Sequence, residues 1–276
     1  MTTAALTGER GRTPLAGAAM KGAAALWFVI AFVGQAMFAL YIGIYYGRAA
    51  AMGDWAQWNK RLITGFVDGD IAGNFALVAH IALAFVITFC GPLQFVPAVR
   101  RRAIGFHRWN GRIYITTAFV ISLGALYLVN TRGAGAFNTV SIQINAALIM
   151  LCAAMTLRSV LARRIDAHYR WALRTFLLVS GVWFLRVGYT FVGILFQGDP
   201  PGVSENLNGP TDIALAYLSF FLPIAVLQLY FIAKDRGGNA SKWAMTGVLA
   251  LAAAVTGVGV AGLIMFAWLP KIVGGA

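Results

Sequence analysis

Apolar positions along this chain gather into seven long blocks, at about 23–46, 71–97, 107–130, 139–161, 168–196, 211–233 and 243–269, and none alternates with a period of two. Each block reaches the roughly 20 residues needed to cross a hydrocarbon core of about 30 Å. No water is present there to satisfy backbone N–H and C=O groups, so such blocks must be helices. The pattern predicts an all-α polytopic membrane protein: a bundle of about seven transmembrane helices forming one domain over 23–276. Residues 1–22, polar and rich in Gly, Ala and Thr, read as a flexible tail on the cytoplasmic side. The first block is long enough to be a permanent span rather than a cleaved signal.

The stretches between the blocks carry their own signals. Residues 47–74 hold Trp55, Trp58, Leu62 and Phe66 at helical spacing, which predicts a short helix lying in the membrane interface, where Trp favours the headgroup level. In a functional reading that helix is a lid over an opening in the bundle. GPLQFVP ends the second block, TRGAGAFN makes the turn into the fourth, and a Pro- and Gly-rich segment joins the fifth to the sixth. Gly257, Gly259 and Gly262 match GxGxxG, but no strand precedes them. They read as points of close helix approach, not as a dinucleotide site.

Composition sharpens this picture. Only 11% of residues are charged against 60% hydrophobic, where a soluble domain carries about a quarter charged. The net charge of +13 comes without a basic domain or a nucleic-acid motif, so it reads as cytoplasmic loop charge and nucleic acid is excluded as a partner. With the N-terminus inside, 16 of the 22 lysines and arginines fall at the inner ends, and Asp54, Asp68, Asp70, Asp199, Glu205 and Asp212 fall outside. The expected orientation is therefore N-in, C-out. Cys90 and Cys152 sit inside spans, form no CxxC pair and read as small core residues.

Two places could carry chemistry. At the inner ends of the third and fifth spans stand His107-Arg108-Trp109 and His168-Tyr169-Arg170-Trp171, with Arg112 and Arg174 four residues beyond the first arginine of each. Each arginine pair shares one helix face. Meeting helix starts would form a cofactor or anion site from His107, Arg108, Arg112, His168, Arg170 and Arg174. The same residues also serve as ordinary anchors to phospholipid headgroups. His107 and His168 match in depth and are the candidate axial ligands of a haem b iron. Scattered histidine depths leave no zinc site, and P-loop, HExxH and Ser-His-Asp signatures are absent.

The second place lies deeper. His80 is a turn or two inside the second span, and Arg186 lies about 27 Å beyond His168 by helical rise. Gln143, Asn145 and Tyr189 have comparable depth. An intramembrane arginine is costly unless paired or facing water. The five residues therefore predict a ligand-binding cavity opening outward, with a purely structural hydrogen-bond network as the ordinary alternative.

The combination H…GPLQF…R…HRWNGRIY, followed by DAHYRWALR and Arg186, resembles a prokaryotic membrane-protein family known as domain of unknown function 2306, over a core of about 71–196. The pattern falls on His80, Gly91, Pro92, Gln94, Phe95, His107, Arg108, Gly111, Arg112, Tyr114, Asp166, His168, Arg170, Trp171, Arg174 and Arg186. Family members often read HRRWMIRS where this chain has HYRWALRT. The resemblance implies a multi-pass protein of a bacterial inner membrane with a shared site, and it names no substrate. The leading functional reading is a redox component binding haem or quinone through these histidines and arginines. The competing readings are a lipid or small-anion binding protein or transporter, and an accessory subunit of a larger membrane complex.

Overall fold

The computed structural model describes residues 15–60, 62 and 65–274. Among them there is no strand, and the helices run in this order: α1 Leu15–Ala51, α2 Ala56–Asn59, α3 Ile71–Leu93, α4 Pro97–Arg102, α5 Ile104–Arg132, α6 Ala136–Leu161, α7 Ile165–Val179, α8 Gly181–Phe196, α9 Pro210–Asp235 and α10 Asn239–Val273. Six are long and apolar enough to span a membrane, and α7 with α8, bent by 53° at their break, passes the same test as a pair and brings the candidates to seven. Residues 1–14 of the expected tail lie outside the described residues, while 15–22 are already helix.

α1 packs most extensively on α10, α6 on α7, and α3 on α5, while α8 lies against α9 and α10. Glycine makes the α8–α10 approach possible. A Cβ on Gly259 would stand 2.7 Å from the Val187 carbonyl oxygen, so these backbones touch as small-residue membrane interfaces allow. Both α1 and α10 widen into a π-turn near the same end, at Ile42–Tyr46 and Leu263–Trp268. There Phe38, Tyr41, Tyr45 and Trp268 stack into one aromatic cluster.

Two departures from hydropathy matter for the site. The fifth span breaks without a proline. At the Ser180-Gly181 pair, a known cause of sharp kinks, the Ser180 hydroxyl donates to the Phe176 carbonyl at 2.8 Å and accepts from Gln35 Nε2 at 2.9 Å. Asn145 Nδ2 donates to the freed carbonyl of Leu178 at 3.3 Å. The segment after α1 is not one amphipathic helix. Asn59 donates to the Phe66 carbonyl and accepts from the Phe66 N–H, which folds the chain back and stacks Trp55 on Phe66 at 5.1 Å. Side-chain hydrogen bonding to backbone has replaced the helix here.

The chain reverses direction at each connection, so one end of the bundle carries Asp70, Arg132 and the 197–209 loop, and the other carries His107, His168 and Asp235.

A cavity inside the bundle

Six helices, α7 and α8 together making one broken stretch, line a cavity of about 440 Å³, within the range of small-molecule sites. α1 gives Gln35, Phe38, Ile42 and Tyr46. α3 gives Leu77, His80, Ala84 and Ile87, and α5 gives Tyr114, Ser122, Ala125 and Val129. α6 supplies Asn145 and Ile149, and the broken span supplies Phe176, Ser180, Trp183 and Arg186. Along α5 the cavity runs from Val129 to Tyr114, about 22 Å by helical rise. Leu62, Gly133 and Ala134 mark its mouth at the Arg132 end. The α5–α6 turn there requires glycine, with φ of +73° at Gly133 and +78° at Gly135.

The lining is mostly apolar, yet it holds unpartnered polar atoms. Among the described residues, buried side-chain atoms without a hydrogen-bond partner are His80 Nδ1, Tyr114 Oη, Ser122 Oγ, Asn145 Oδ1, Trp183 Nε1, Gln94 Nε2 and His107 Nδ1. The first five all belong to cavity-lining residues. Tyr114, Ser122 and Trp183 are 5%, 2% and 2% exposed, too enclosed to find solvent elsewhere. Buried polar groups are normally paired, so such a concentration singles the cavity out as the candidate site.

Arg186 closes one wall. Its Nη1 donates to the Val182 carbonyl at 3.3 Å, and its guanidinium lies over the Phe38 ring at 5.0 Å. Among the described residues no carboxylate pairs with it, and none lines the cavity.

Of the five residues expected here, His80, Asn145 and Arg186 line the cavity. Gln143 donates instead to Asn130 Oδ1 at 2.9 Å. Tyr189 donates to Asp212 Oδ1 at 2.7 Å, where Asp212 also accepts from the N–H groups of Ser204 and Gly209 and so fastens the 197–209 loop. Sequence reasoning passed over Gln35, Tyr114, Ser122, Ser180 and Trp183. The signal for Ser122 and Tyr114 was their place on one α5 stripe with Ala125, Val129 and Ile121.

At the opposite end the expected residues separate. Arg108 and Arg112 are exposed, and Arg112 stacks on Trp109 at 4.8 Å. Arg170 pairs with Asp235 at 2.6 Å, and Arg174 donates to Gln228 Oε1 at 2.9 Å. The two pairs of guanidinium groups thus have different surroundings. His107 and His168 lie close enough to interact electrostatically. His168 Nδ1 sits 3.1 Å from the Thr156 carbonyl oxygen, opposite which it must carry its proton. Neither the large cavity nor a smaller one of about 180 Å³ beside Tyr45 and Lys271 reaches these histidines. Among the described residues no group of three or more His, Cys, Asp and Glu could hold a metal ion.

The recurrent motifs also knit the fold. A Cβ on Gly91 would stand 3.0 Å from the Tyr114 ring, and Asn110 Nδ2 donates to the Cys90 carbonyl at 2.9 Å. GPLQF and HRWNGRIY are therefore two sides of one α3–α5 contact, and Tyr114 extends from it to the cavity floor.

Residues 77–209 match the family model described as Predicted membrane protein (DUF2306), the family whose motifs the chain resembles. The match covers α3 through the loop before α9, and thus every cavity wall except α1. No curated protein and no solved structure matches the chain.

Proposed function

We propose that this chain binds, inside the membrane, an elongated and mainly apolar molecule with one polar head, of the single-chain lipid or quinone kind. The observation that carries this reading is one long, mainly apolar cavity with Arg186 on its wall and five lining residues that each hold an unpartnered buried polar atom. Each orphaned buried group costs about 1–3 kcal/mol, and a ligand head supplies a partner to those at its own depth once their side chains turn toward it. The apolar side chains that make up most of the lining suit a chain. A cavity of this drug-like size suits one chain and not the two of a phospholipid.

The test compares wild type with Ala125→Phe, which fills the cavity. Solvent extracts of both purified proteins are compared by mass spectrometry, and thermal unfolding is followed with added fatty acid, long-chain alcohol and ubiquinone. Wild type should carry an amphiphile that the variant lacks and should be stabilised in proportion to the probe, by about 2.7 kcal/mol at a hundredfold excess over Kd. Identical extracts together with no stabilisation by any probe would defeat the reading.

The haem reading keeps one supporting observation, that His107 and His168 lie close enough to interact. Oxidised and dithionite-reduced spectra of the same preparation test it. It requires a Soret band that shifts on reduction and is lost in His107→Ala and His168→Ala. A featureless spectrum from protein made with ample haem removes it.

A further inference from the structure

Building on the reading of the cavity as a ligand site, we infer that the head group is an anion, a carboxylate on a single apolar chain, with Arg186 as its counter-ion. Arg186 lies 10 residues before Phe196, the end of α8. That is about 15 Å of helix, too deep for the guanidinium to snorkel comfortably to the surface.

What surrounds Arg186 supplies no charge. Val182 offers a carbonyl on its own helix and Phe38 offers a ring face. Tyr41 and Tyr46 lie near enough to interact, as neutral phenols. Among the described residues no carboxylate lines the cavity with it. Among the described residues the two salt bridges, Arg132–Asp70 and Arg170–Asp235, hold both partners at the bundle ends. An arginine in a low-dielectric cavity therefore awaits one negative charge, and its planar fork matches a carboxylate. Asn145, Ser122 and His80 add neutral hydrogen-bonding groups to the same lining, and Trp183 adds an indole N–H. Donors and acceptors placed together suit a head that both charges and hydrogen-bonds, while Ile87, Ile149 and Phe176 line the deeper apolar part for the chain.

The experiment uses the full chain in nanodiscs at a pH where a carboxylic acid is ionised. Palmitate, cetyl alcohol of the same chain length and a short-chain ubiquinone are titrated against wild type, Arg186→Gln, Arg186→Lys and Ala125→Phe, with tryptophan quenching by a brominated fatty acid as the competition signal. Wild type should prefer palmitate over cetyl alcohol by about ten- to a hundredfold, the worth of a hydrogen-bonded charge. Arg186→Gln should erase that preference by weakening palmitate alone, and Arg186→Lys should keep part of it. Equal affinities in wild type, or a preference surviving in Arg186→Gln, would overturn the assignment, and the wild-type comparison decides even if a variant does not fold. Binding of alcohol or quinone without palmitate would remove the anionic head and leave the cavity as a site. No binding of any probe, with Ala125→Phe equal to wild type, would remove both.

Discussion

Arg132 and Arg186 are the same residue put to opposite uses. Arg132 ends α5, and three of its nitrogens have partners: Nε and Nη2 donate to Asp70 Oδ2 at 3.1 and 2.8 Å, Nη2 also to Asn74 Oδ1 at 2.7 Å, and Nη1 to the Gly65 carbonyl at 2.6 Å. Asn74 in turn holds both the N–H and the carbonyl of Val67. Gly73 lacks a side chain where one would run into Asp70 and Arg132. This arginine latches the 65–74 segment beside the cavity mouth. Arg186, well inside the bundle, has a ring and a carbonyl of its own helix and no counter-charge. A satisfied arginine is structure. An arginine inside the bundle without a counter-charge among the described residues is the one the proposed carboxylate would complete.

The sharpest way to break this contrast is to delete each side chain and follow unfolding in mixed micelles without added ligand. Arg132→Ala removes a side chain only 6% exposed, strands the Gly65 carbonyl and takes a donor from Asp70 and Asn74, and should lose about 2–4 kcal/mol. Arg186→Leu should move the other way and gain about 1–2 kcal/mol, because it removes an uncompensated charge from an apolar site. A large loss in Arg186→Leu would mean that the chain itself satisfies this arginine, and the contrast would fail.

Much of the architecture was legible because hydrocarbon permits so little else. Seven blocks of sufficient length became seven candidate spans, one of them a bent pair. The break escaped hydropathy, since Ser180-Gly181 interrupts hydrogen bonding without lowering apolarity. Trp55, Trp58, Leu62 and Phe66 had the spacing of one helix; α2 holds Trp58 in a short one, while Asn59 bonding to Phe66 in both directions sets Phe66 beside Trp55 and outside it. In the cavity, depth could be read and azimuth could not. Gln143 and Asn145 are two residues apart and hence about 200° apart around the helix, so one bonds Asn130 and the other lines the cavity. At the other end, Asp235 reaches Arg170 across 65 residues of sequence, a pairing that local spacing does not reveal.

The smallest expected effect concerns the charge that completes the latch. Arg132 hydrogen-bonds Asp70 and holds its carboxyl below the usual carboxylate range, with the Gly73 N–H adding to the effect. A carboxyl held low in the folded state contributes stability above its unfolded value, about 3.9, and loses it as pH falls through the lowered folded value. Asp70→Asn should therefore be less stable than wild type by a constant margin at neutral pH, and that margin should shrink below about pH 4. The side chain is 37% exposed, so the margin is modest. A margin that persists unchanged in acid would assign the latch to hydrogen-bond geometry rather than charge. The same scan on wild type and Arg186→Leu should show no such convergence without ligand, because no carboxylate of the described chain faces Arg186. Adding palmitate should create it: the stabilisation of wild type over Arg186→Leu would then fall away as the bound carboxylate protonates, making the cavity arginine behave as Arg132 does already.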